Sequence, residues 1–552
     1  MRQVAKRIAS EAFARASAEN GWNETAGISI DITTPKEEKF GDFSCNVAMI
    51  LASRLKSNPR AIAEKVAEQM RGDEIVANVE VAGPGFINMT LKPSAWASAL
   101  GEVFTAKDGF GKTNDGNGKK VIVEFVSANP TGPLHIGHGR GAAFGDSLAR
   151  VLKFAGYAVH REYYINDVGL QMDNLGRSTL ERAREVHGLP FGEPAYKGEY
   201  MKDIAREFLA REGDGVLNLP PEEALARSRA FTAGSILDGI RHDLAEFRVG
   251  FDEWFSEESM HKAGSVNNLI DLLLKSGHIY ENEGALWLKT DDSGDDKDRV
   301  VKRANGPTTY LAADIAYHKD KLDRGFDIMV DVWGADHHGY ISRLKAVIAA
   351  LGADPDRLAT RLVQIVNLKR GGELIAMSTR SGVFTTLREI MDEVGVDATR
   401  FFFNMRSADS QMDFDVDLAK KQSDENPVYY IQYAHARCAN IFVTALDKGF
   451  AKSASPENEP LSQLERPAEL KLVKKLLKFP DVVSSCASAL HVHPVASYLL
   501  DLAGVFHNYY KHNRVVTEDA ELTRARLVLV DAARMVFRSG LDLLGVSAPE
   551  RM

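Results

Sequence analysis

The residues of this sequence that could do chemistry begin with His135 and His138, two histidines that follow a loop of small residues. The apolar run 121–126 before the loop predicts a β-strand, and apolar residues at helical spacing after it predict an α-helix. The first turn of a helix offers free N–H groups and the positive end of the helix dipole, which both favour an anion. The loop lacks the Gly-Lys-Ser/Thr ending of a P-loop, so the pattern predicts a nucleotide phosphate site of another kind.

Strands and helices alternate around this site. Short apolar runs at 121–126, 159–165, 328–333 and 362–366 predict strands, and the segments between them have helical periodicity. This alternation predicts an α/β fold with a parallel sheet. The interval from about 181 to 283 has a mostly helical pattern, and we predict that it is an insertion between two halves of the sheet.

Two polar breaks divide the chain. The Gly- and Asn-rich segment 107–120 predicts an interdomain linker, and the Pro-containing segment 452–467 predicts a loop in the C-terminal part. After Asp424 the periodicity is almost entirely helical. The amphipathic residues 1–13 lack the apolar core of a secretory signal and predict a surface helix. The longest uncharged stretch, 482–500, contains a proline, two histidines and four serines, so no membrane span is predicted.

Length and composition limit the class of protein. The chain has 552 residues, which favours about three to four domains of roughly 150 residues each. Its net charge is −9, so binding a nucleic acid would require local basic patches. The three cysteines are far apart in sequence, which excludes a disulfide framework and a Cys-x-x-Cys zinc site and fits a reducing cytoplasm.

Two helical segments near the C-terminus could supply such basic patches. Lysines at 471, 474, 475 and 478 form one stripe of a predicted helix, and the segment 506–514 interleaves aromatic and basic side chains. Aromatic rings can stack on splayed bases while cations hold phosphates. The alternative is that each segment is a solvated helix face over an apolar core.

The string His135-Ile-Gly-His138 resembles the HIGH motif of class I aminoacyl-tRNA synthetases. Further segments, spread over almost the whole chain, are similar to one family of that class, the arginyl-tRNA synthetases. They occur in the family's order, at 41–48, 82–88, 163–171, 295–299 with 310–314, 333–339, 427–437 and 549–552. The sequence therefore resembles an arginyl-tRNA synthetase along most of its length.

The resemblance implies an enzyme that activates L-arginine with ATP and transfers it to the terminal adenosine of tRNA(Arg), at the 2′-hydroxyl by analogy with class I. It implies a small N-terminal α/β domain for tRNA recognition at 1–110, a Rossmann-type parallel-sheet catalytic domain at 116–420 with the insertion at about 181–283, and an all-α anticodon-binding bundle at 424–552. The partners would be tRNA(Arg), L-arginine and ATP with Mg²⁺. We expect a cytoplasmic monomer that holds no tightly bound metal and does not associate with a membrane.

Arginine demands anionic and neutral acceptors, because its guanidinium has five donors and never deprotonates. By resemblance, the arginine pocket would comprise Glu124, Ser127, Asn129, Tyr310 and Asp314, with Asp167 and Gln171 as additional candidates. The ATP site would comprise Pro130, Thr131, Gly132, Leu134, His135, Gly137, His138, Gly334, Asp336, His338 and Met377. An alternative for Asp336 and His338, together with His337, is a metal site.

The largest departure from the family lies at 376–382, where the motif Lys-Met-Ser-Lys-Ser is expected but alanine and threonine replace both lysines. Some relatives carry a compensating lysine just before the HIGH motif, at the position of Gly132. We predict that Arg380 supplies the missing charge with Ser378 as a hydrogen-bond donor, so that the catalytic residues are His135, His138, Ser378 and Arg380. Lys369 and Arg370 are alternative cations.

The missing lysines also suggest a second hypothesis, a tRNA-binding paralogue without catalytic activity. The retained HIGH motif and amino-acid pocket argue against it, because a binding protein has no need of either. Another nucleotidyl transferase or class I synthetase is a third, disfavoured hypothesis. For the tRNA surface we predict Tyr429, Tyr430, His435, Arg437, Lys474, Lys475, Lys478, Tyr509 and Arg514.

Overall fold

The computed structural model describes residues 1–22, 25, 27–35, 37–289, 297–375 and 384–552. Along these residues the chain forms an N-terminal α/β part, a central part with a parallel sheet and a helical C-terminal part. No helix in the described residues is long and apolar enough to cross a membrane.

The N-terminal part combines a four-stranded antiparallel sheet with five helices. Its elements are α1 Arg2–Asn20, β1 Ile32–Thr33, β2 Phe43–Cys45, α2 Val47–Leu55, α3 Pro59–Arg71, β3 Val76–Ala82, β4 Phe86–Leu91, α4 Pro93–Ala99 and α5 Gly101–Ala106. The strand order is β1-β2-β4-β3. Helix α3 begins where the Asn58 side chain accepts the Arg60 N–H at 2.9 Å and Pro59 takes the first position, a favourable N-terminus.

The central part holds eleven of the strands in the described residues. They are β5 Lys120–Glu124, β6 Ala158–Ile165, β7 Glu253–Ser256, β8 Ile279–Asn282, β9 Ala285–Leu288, β10 Arg299–Lys302, β11 Ile328–Gly334, β12 Leu358–Val363, β13 Val366–Arg370, β14 Glu373–Ile375 and β15 Met412–Asp415. A five-stranded parallel sheet has the order β12-β11-β5-β6-β7, and two three-stranded sheets have the orders β10-β9-β8 and β14-β13-β15.

Helices flank these sheets and form the C-terminal part. The helices of the central part are α6 Ile136–Phe154, α7 Leu170–Val186, α8 Tyr200–Glu212, α9 Pro221–Glu246, α10 Glu257–Lys262, α11 Ser265–Lys275, α12 Tyr310–Asp323, α13 Ile341–Ala350, α14 Leu387–Val394, α15 Val396–Asn404 and α16 Val416–Lys420. The C-terminal helices are α17 Pro427–Asp447, α18 Pro467–Leu476, α19 Phe479–Ala489, α20 His493–His512 and α21 Ala520–Leu543. The fold class predicted from the sequence is confirmed.

Two details differ from the sequence predictions. The apolar run 362–366 is not one strand: β12 ends at Val363 and β13 begins at Val366, because the chain leaves one sheet for another where the Gln364 N–H donates to the Ala408 carbonyl. The interval 181–283 is not only an insertion, since it contains β7, which pairs with β6 at the edge of the parallel sheet. A strand of four residues is too short to show a clear alternation of apolar and polar side chains, so the sequence pattern did not reveal it.

Four carboxylates lie side by side across the parallel sheet, one on each of four neighbouring strands. In the order of the strands they are Asp331, Glu124, Glu162 and Glu253, each in register with the next. We call these residues the carboxylate row. Two cations pair with these carboxylates: Lys321 of α12 bonds to the first two, and Arg324, the residue that follows α12, bonds to the last two.

Arg400 on α15 connects three parts of the chain from a fully buried position. Its guanidinium pairs with Asp146 on α6 and donates to the carbonyls of Leu544, at 2.9 Å, and Phe247, at 2.8 Å. The first of these carbonyls follows α21 and the second follows α9. One side chain therefore ties the C-terminal part and the long helical segment to the helix that begins at His135.

We expect Arg400→Met to lower the free energy of unfolding by about 3 kcal/mol, because it removes the buried partner of Asp146 and leaves buried carbonyls without donors. Denaturant unfolding followed by tryptophan fluorescence measures the loss. Arg150→Met is the matched control: Arg150 contacts the same carboxylate at 2.8 Å but is partly exposed. Arg150→Met should lower the free energy of unfolding by about 1 kcal/mol or less. Equal losses in the two variants would contradict this assignment.

Candidate active site

The two histidines cap the N-terminus of α6 reciprocally. The Nδ1 atom of His135 accepts the His138 N–H at 3.2 Å, and the Nδ1 atom of His138 accepts the His135 N–H at 3.3 Å. The rings stack with their centroids 3.6 Å apart. Because both Nδ1 atoms are acceptors, each neutral ring carries its proton on Nε2. The helix therefore begins with two Nε2–H donors.

Both histidines are neutral at physiological pH. Burial lowers the pKa of His135, and burial together with the neighbouring His135 ring lowers the pKa of His138 to about 3. The pair can therefore donate hydrogen bonds to phosphate oxygens beside the positive end of the α6 dipole, but it brings no full charge. Any full positive charge on a bound triphosphate must come from other groups.

The loop between β5 and α6 holds strained backbone. Val126 has φ 69° and Ser127 has φ 39°, and a β-branched residue rarely adopts the left-handed region. Strand β6 holds the loop in place: the Ser127 hydroxyl accepts the Tyr164 N–H at 3.1 Å, and the Tyr163 hydroxyl donates to the Ala128 carbonyl at 2.8 Å. Strain of this kind concentrates at functional sites.

The loop joins two candidate arginine ligands to their neighbours. The Ser127 hydroxyl donates to the buried Glu124 carboxylate at 3.0 Å. The Asn129 amide donates to the Gln171 side chain at 3.0 Å. Strand β5, the loop and the start of α7 therefore contribute to one polar cluster.

Helix α12 brings the two remaining principal arginine candidates to its first turns. Tyr310 is the first residue of α12 and is 59% exposed. Asp314 follows four residues later on the same face, and its carboxylate accepts the Tyr340 hydroxyl. Burial raises the pKa of Asp314 to about 6. This carboxylate is therefore ionised at physiological pH and gains a proton in mild acid.

Asp167 has a structural partner set of its own. Its carboxylate accepts the Ser256 hydroxyl at 2.6 Å and the Glu258 N–H at 2.7 Å, at the N-terminus of α10. The described structure thus occupies both Asp167 oxygens with helix capping. Among the two additional arginine candidates, only Gln171 contacts one of the principal ligands.

The candidate nucleoside residues follow β11. This strand ends at Gly334 and continues as a 3₁₀ turn, Ala335–Tyr340, which contains Asp336 and His338. Because β11 lies beside β5 and parallel to it, both strands deliver their following loops to the same edge of the sheet. The Asp336 side chain is 84% exposed.

Tyr200 on α8 contacts the loop between β5 and α6. Its hydroxyl donates to the Thr131 carbonyl at 2.6 Å, and a β-carbon placed on Gly132 would lie 3.0 Å from that hydroxyl oxygen. A longer side chain at 132 would therefore displace the tyrosine. The sequence pattern missed Tyr200, because it belongs to the long helical segment and has no spacing relation to the HIGH motif.

Ser378, Arg380 and Met377 lie outside the described residues. The chain that follows them is described, and it pairs with the HIGH motif: the Leu387 N–H donates to the Leu134 carbonyl at 2.8 Å, and the Ile136 N–H donates to the Thr385 carbonyl at 3.1 Å. The described chain therefore resumes, after residue 383, beside the histidine pair. The sequence alone did not indicate this pairing.

The alternative cations before that segment have acidic partners. Lys369 lies 3.5 Å from Asp415, and Arg370 pairs with Glu393 at 2.5 Å. Their positive charges are therefore partly neutralised within the protein.

One three-residue group in the described residues has metal-ligand spacing, His160 with Glu162 and Glu253. The Arg324 guanidinium already contacts both carboxylates, at 2.6 and 2.9 Å. The Arg324 guanidinium thus occupies the position that a metal ion would take between these carboxylates. The group does not include Asp336, His337 or His338, the residues of the alternative metal hypothesis.

The predicted tRNA residues separate into exposed and buried sets. Helix α17 carries an exposed aromatic face: Tyr429 stacks on Tyr433 with ring centroids 6.2 Å apart, and Arg437 lies 4.4 Å from the Tyr433 ring and 5.0 Å from the Tyr510 ring. Tyr430 packs on His507 beside this face. The prediction missed Tyr433 and Tyr510, although the spacing of 429, 433 and 437 on one helix face could have found the first.

Two predicted tRNA residues belong to the core instead. His435 and Tyr509 are each 1% exposed, and a ring nitrogen of His435 faces the Pro549 carbonyl at 2.8 Å. A segment of mixed aromatic and basic residues on a helix must turn one face inward, and these two side chains lie on that face. The prediction that these two side chains contact tRNA is wrong, because both are buried.

The basic stripe on α18 is partly used inside the protein. Lys474 pairs with Asp42 of the N-terminal part and lies 5.3 Å from the Trp96 ring. Lys475 pairs with Asp501 at 3.0 Å. Beyond α18, Lys478 is exposed, as is Arg514 after α20.

Comparison with known proteins gives the family. A family model described as "tRNA synthetases class I (R), catalytic domain" matches residues 101–417, so the central part is a class I synthetase domain. Models described as "Arginyl tRNA synthetase N terminal domain" and "DALR anticodon binding domain" match residues 3–91 and 431–552.

Individual relatives agree with these matches. The chain is 54% identical over 526 residues to an arginine–tRNA ligase of Syntrophotalea carbinolica, with 95% of each chain covered. It is 46% identical to that of Carboxydothermus hydrogenoformans over the full length of both chains. The solved arginyl-tRNA synthetase of Thermus thermophilus superposes with a TM-score of 0.78 at 25% identity, covering 100% of both chains.

The chain therefore belongs to the arginyl-tRNA synthetase family, and it is an ATP-dependent enzyme that ligates arginine to tRNA. The family and the reaction expected from the sequence motifs are confirmed.

Proposed function

We propose that arginine activation takes place at the carboxyl edge of the parallel sheet, between the acidic cluster of β5 and α12 and the histidine pair of α6. The observation that supports this most strongly is the reciprocal cap, which places two histidines, each with its proton on Nε2, at the N-terminus of α6. One loop joins this helix to β5, the strand that carries Glu124. Glu124 and Asp314 supply anionic acceptors for the guanidinium, with Ser127, Asn129, Gln171 and Tyr310 around them.

Activation in this site is an in-line displacement. A carboxylate oxygen of arginine attacks the α-phosphorus of ATP, a new P–O bond forms, and the bond to the β-phosphate oxygen breaks to release pyrophosphate. The terminal 2′-hydroxyl of tRNA then attacks the arginyl carbonyl, and AMP leaves. Positioning and charge stabilisation account for most of such catalysis. His135 and His138 donate hydrogen bonds to phosphate oxygens, Gly334, Asp336 and His338 face the nucleoside, and Mg²⁺ accompanies the triphosphate.

The domain roles follow the matched regions. We assign tRNA recognition to residues 1–110, catalysis to 116–420 and anticodon binding to 424–552. The exposed face formed by Tyr429, Tyr433, Arg437 and Tyr510, called here the stacking surface, suits contact with unpaired bases. We further propose that the enzyme acts as a cytoplasmic monomer, which light scattering at the mass of one chain, 60.7 kDa, would test.

The proposal is tested by arginine-dependent ATP–pyrophosphate exchange, run with tRNA(Arg). The variant His138→Asn retains an acceptor in the place of Nδ1 but loses the Nε2–H donor, so we expect exchange to fall about 10²-fold or more without loss of thermal stability. His138→Gln places its amide donor near the Nε2 position and should retain more activity. If the two variants were equally active, the donor role would be wrong.

A second variant in the same assay addresses segment 376–383. We propose that Arg380 replaces the two missing lysines, because Lys369 and Arg370 have acidic partners in the described structure. Arg380→Ala should lower the exchange rate by about 10²-fold, as expected for a charge that acts on the transferring phosphate. Lys369→Ala is the control and should have a smaller effect. An unchanged rate in Arg380→Ala would refute the assignment.

Asp314 gives the site a dependence on pH. Its pKa is raised to about 6, so the carboxyl becomes protonated below that pH and no longer attracts a cation. We expect kcat/KM for arginine to fall as the pH drops through about 6, while KM for ATP changes little. Arginine remains charged throughout. Asp314→Asn should lower kcat/KM at pH 7.5 and flatten this fall; an unaltered acid limb would show that another group sets it.

A further inference from the structure

Lys321 is fully buried between the carboxylates of Glu124 and Asp331. Its ammonium group lies 2.7 Å from a Glu124 oxygen and 2.8 Å from an Asp331 oxygen. The Tyr317 ring lies below it, with its centroid 4.2 Å away. Burying a lysine is costly unless its donors are paired. Here the two carboxylates of neighbouring strands share one cation.

The remaining bonds of these two carboxylates are unequal. The second Asp331 oxygen faces a ring nitrogen of His318 at 3.0 Å, whereas the second Glu124 oxygen accepts, among the described residues, only the neutral Ser127 hydroxyl. Asp331 therefore has two nitrogen partners and Glu124 has one. The Glu124 end of the cluster retains the uncompensated negative charge.

We propose that Lys321 is a positioning residue for arginine recognition, which holds the Glu124 carboxylate ionised and fixed beneath the site where the guanidinium binds. This inference rests on the proposed function, in which Glu124 contacts arginine. The anchor that fixes Lys321 itself is Asp331. Lys321 touches no substrate in this scheme and acts only through Glu124.

The electrostatic surroundings explain why Glu124 needs this partner. Burial raises the pKa of Glu124, and Lys321 opposes that effect. The other titratable groups around it are Asp314, Tyr317 and His318 of α12, Asp331 of β11, and Glu162 and Tyr164 of β6. Three of these six groups are carboxyl groups, so without Lys321 the Glu124 carboxyl would favour its protonated, uncharged form.

The test measures exchange with tRNA(Arg) present as a function of arginine, ATP and pH. In Lys321→Met we expect KM for arginine to rise about tenfold or more, as for loss of a charge-assisted hydrogen bond. KM for ATP should not change, and the acid limb of kcat/KM for arginine should move to higher pH. Lys321→Arg, which keeps the charge, should restore most of the arginine affinity.

Arg324→Met is the matched control. Arg324 directly follows α12, three positions after Lys321, and pairs with the other two members of the carboxylate row, Glu162 and Glu253. It has no contact with Glu124. Its loss should lower thermal stability but leave KM for arginine and the acid limb near the wild-type values. An equal rise of KM in Arg324→Met would show that any break in the row disturbs the site, and the specific role of Lys321 would be wrong.

Lys321→Met leaves Asp331 without its ammonium partner, so the double variant Lys321→Met with Asp331→Asn keeps the test valid if the single variant fails to fold. A raised KM for arginine in the double variant supports the inference. A wild-type KM would mean that Lys321 only neutralises Asp331, which overturns it.

Glu124→Gln separates this inference from the proposed function. If KM for arginine is unchanged in Glu124→Gln, the proposed arginine site itself is wrong. If KM rises in Glu124→Gln but not in Lys321→Met, only the inference about Lys321 fails.

Discussion

The carboxylate row is the constraint on which the catalytic domain depends. Neighbouring parallel strands lie about 4.8 Å apart, so four acidic residues in register would repel one another strongly in a buried sheet. Lys321 on α12 and Arg324 directly after this helix, three residues apart, offset the repulsion in the two halves of the row. The position of α12 is therefore set by charge as well as by apolar packing, and the same helix begins with Tyr310 and Asp314.

Buried ion pairs rarely add net stability compared with apolar residues of similar size. A row of leucines and valines would make a simpler sheet, so the charges need another reason. Within the described residues, Glu124 has one cationic partner, Lys321, which it shares with Asp331. Negative charge therefore remains at this position of the row, and it is the complement of a guanidinium. At the opposite side of the loop the neutral histidine pair offers donors and no charge. In the proposed function, the site would thus attract a cationic amino acid at Glu124, and the neutral histidine pair would add no positive charge that competes with it.

Much of this could be predicted from the sequence. The HIGH motif and its flanking periodicities indicated the strand, loop and helix of the active site, because the apolar spacing changes within a few residues from strand to helix. The carboxylate row could not be predicted, because its members come from positions 124 to 331 and meet only through strand order and register. Lys321 and Tyr200 were missed for the same reason: their partners are distant in sequence. His435 and Tyr509 were misassigned because residue type does not reveal which helix face turns inward.

The net charge of −9 raises the question of how such a chain meets a polyanion. The described structure uses several candidate cations internally: Lys474 binds Asp42 between the N-terminal and C-terminal parts, and Lys475 binds Asp501. The first pair connects the two flanking parts of the chain and the second lies within the C-terminal part, and both leave less positive charge for phosphates. The stacking surface would contribute in another way, because base stacking on tyrosine gains affinity without charge. Recognition of the tRNA would then depend more on stacking with aromatic rings, and on the contact that Lys474 and Asp42 make between the N-terminal and C-terminal parts, than on a large basic surface.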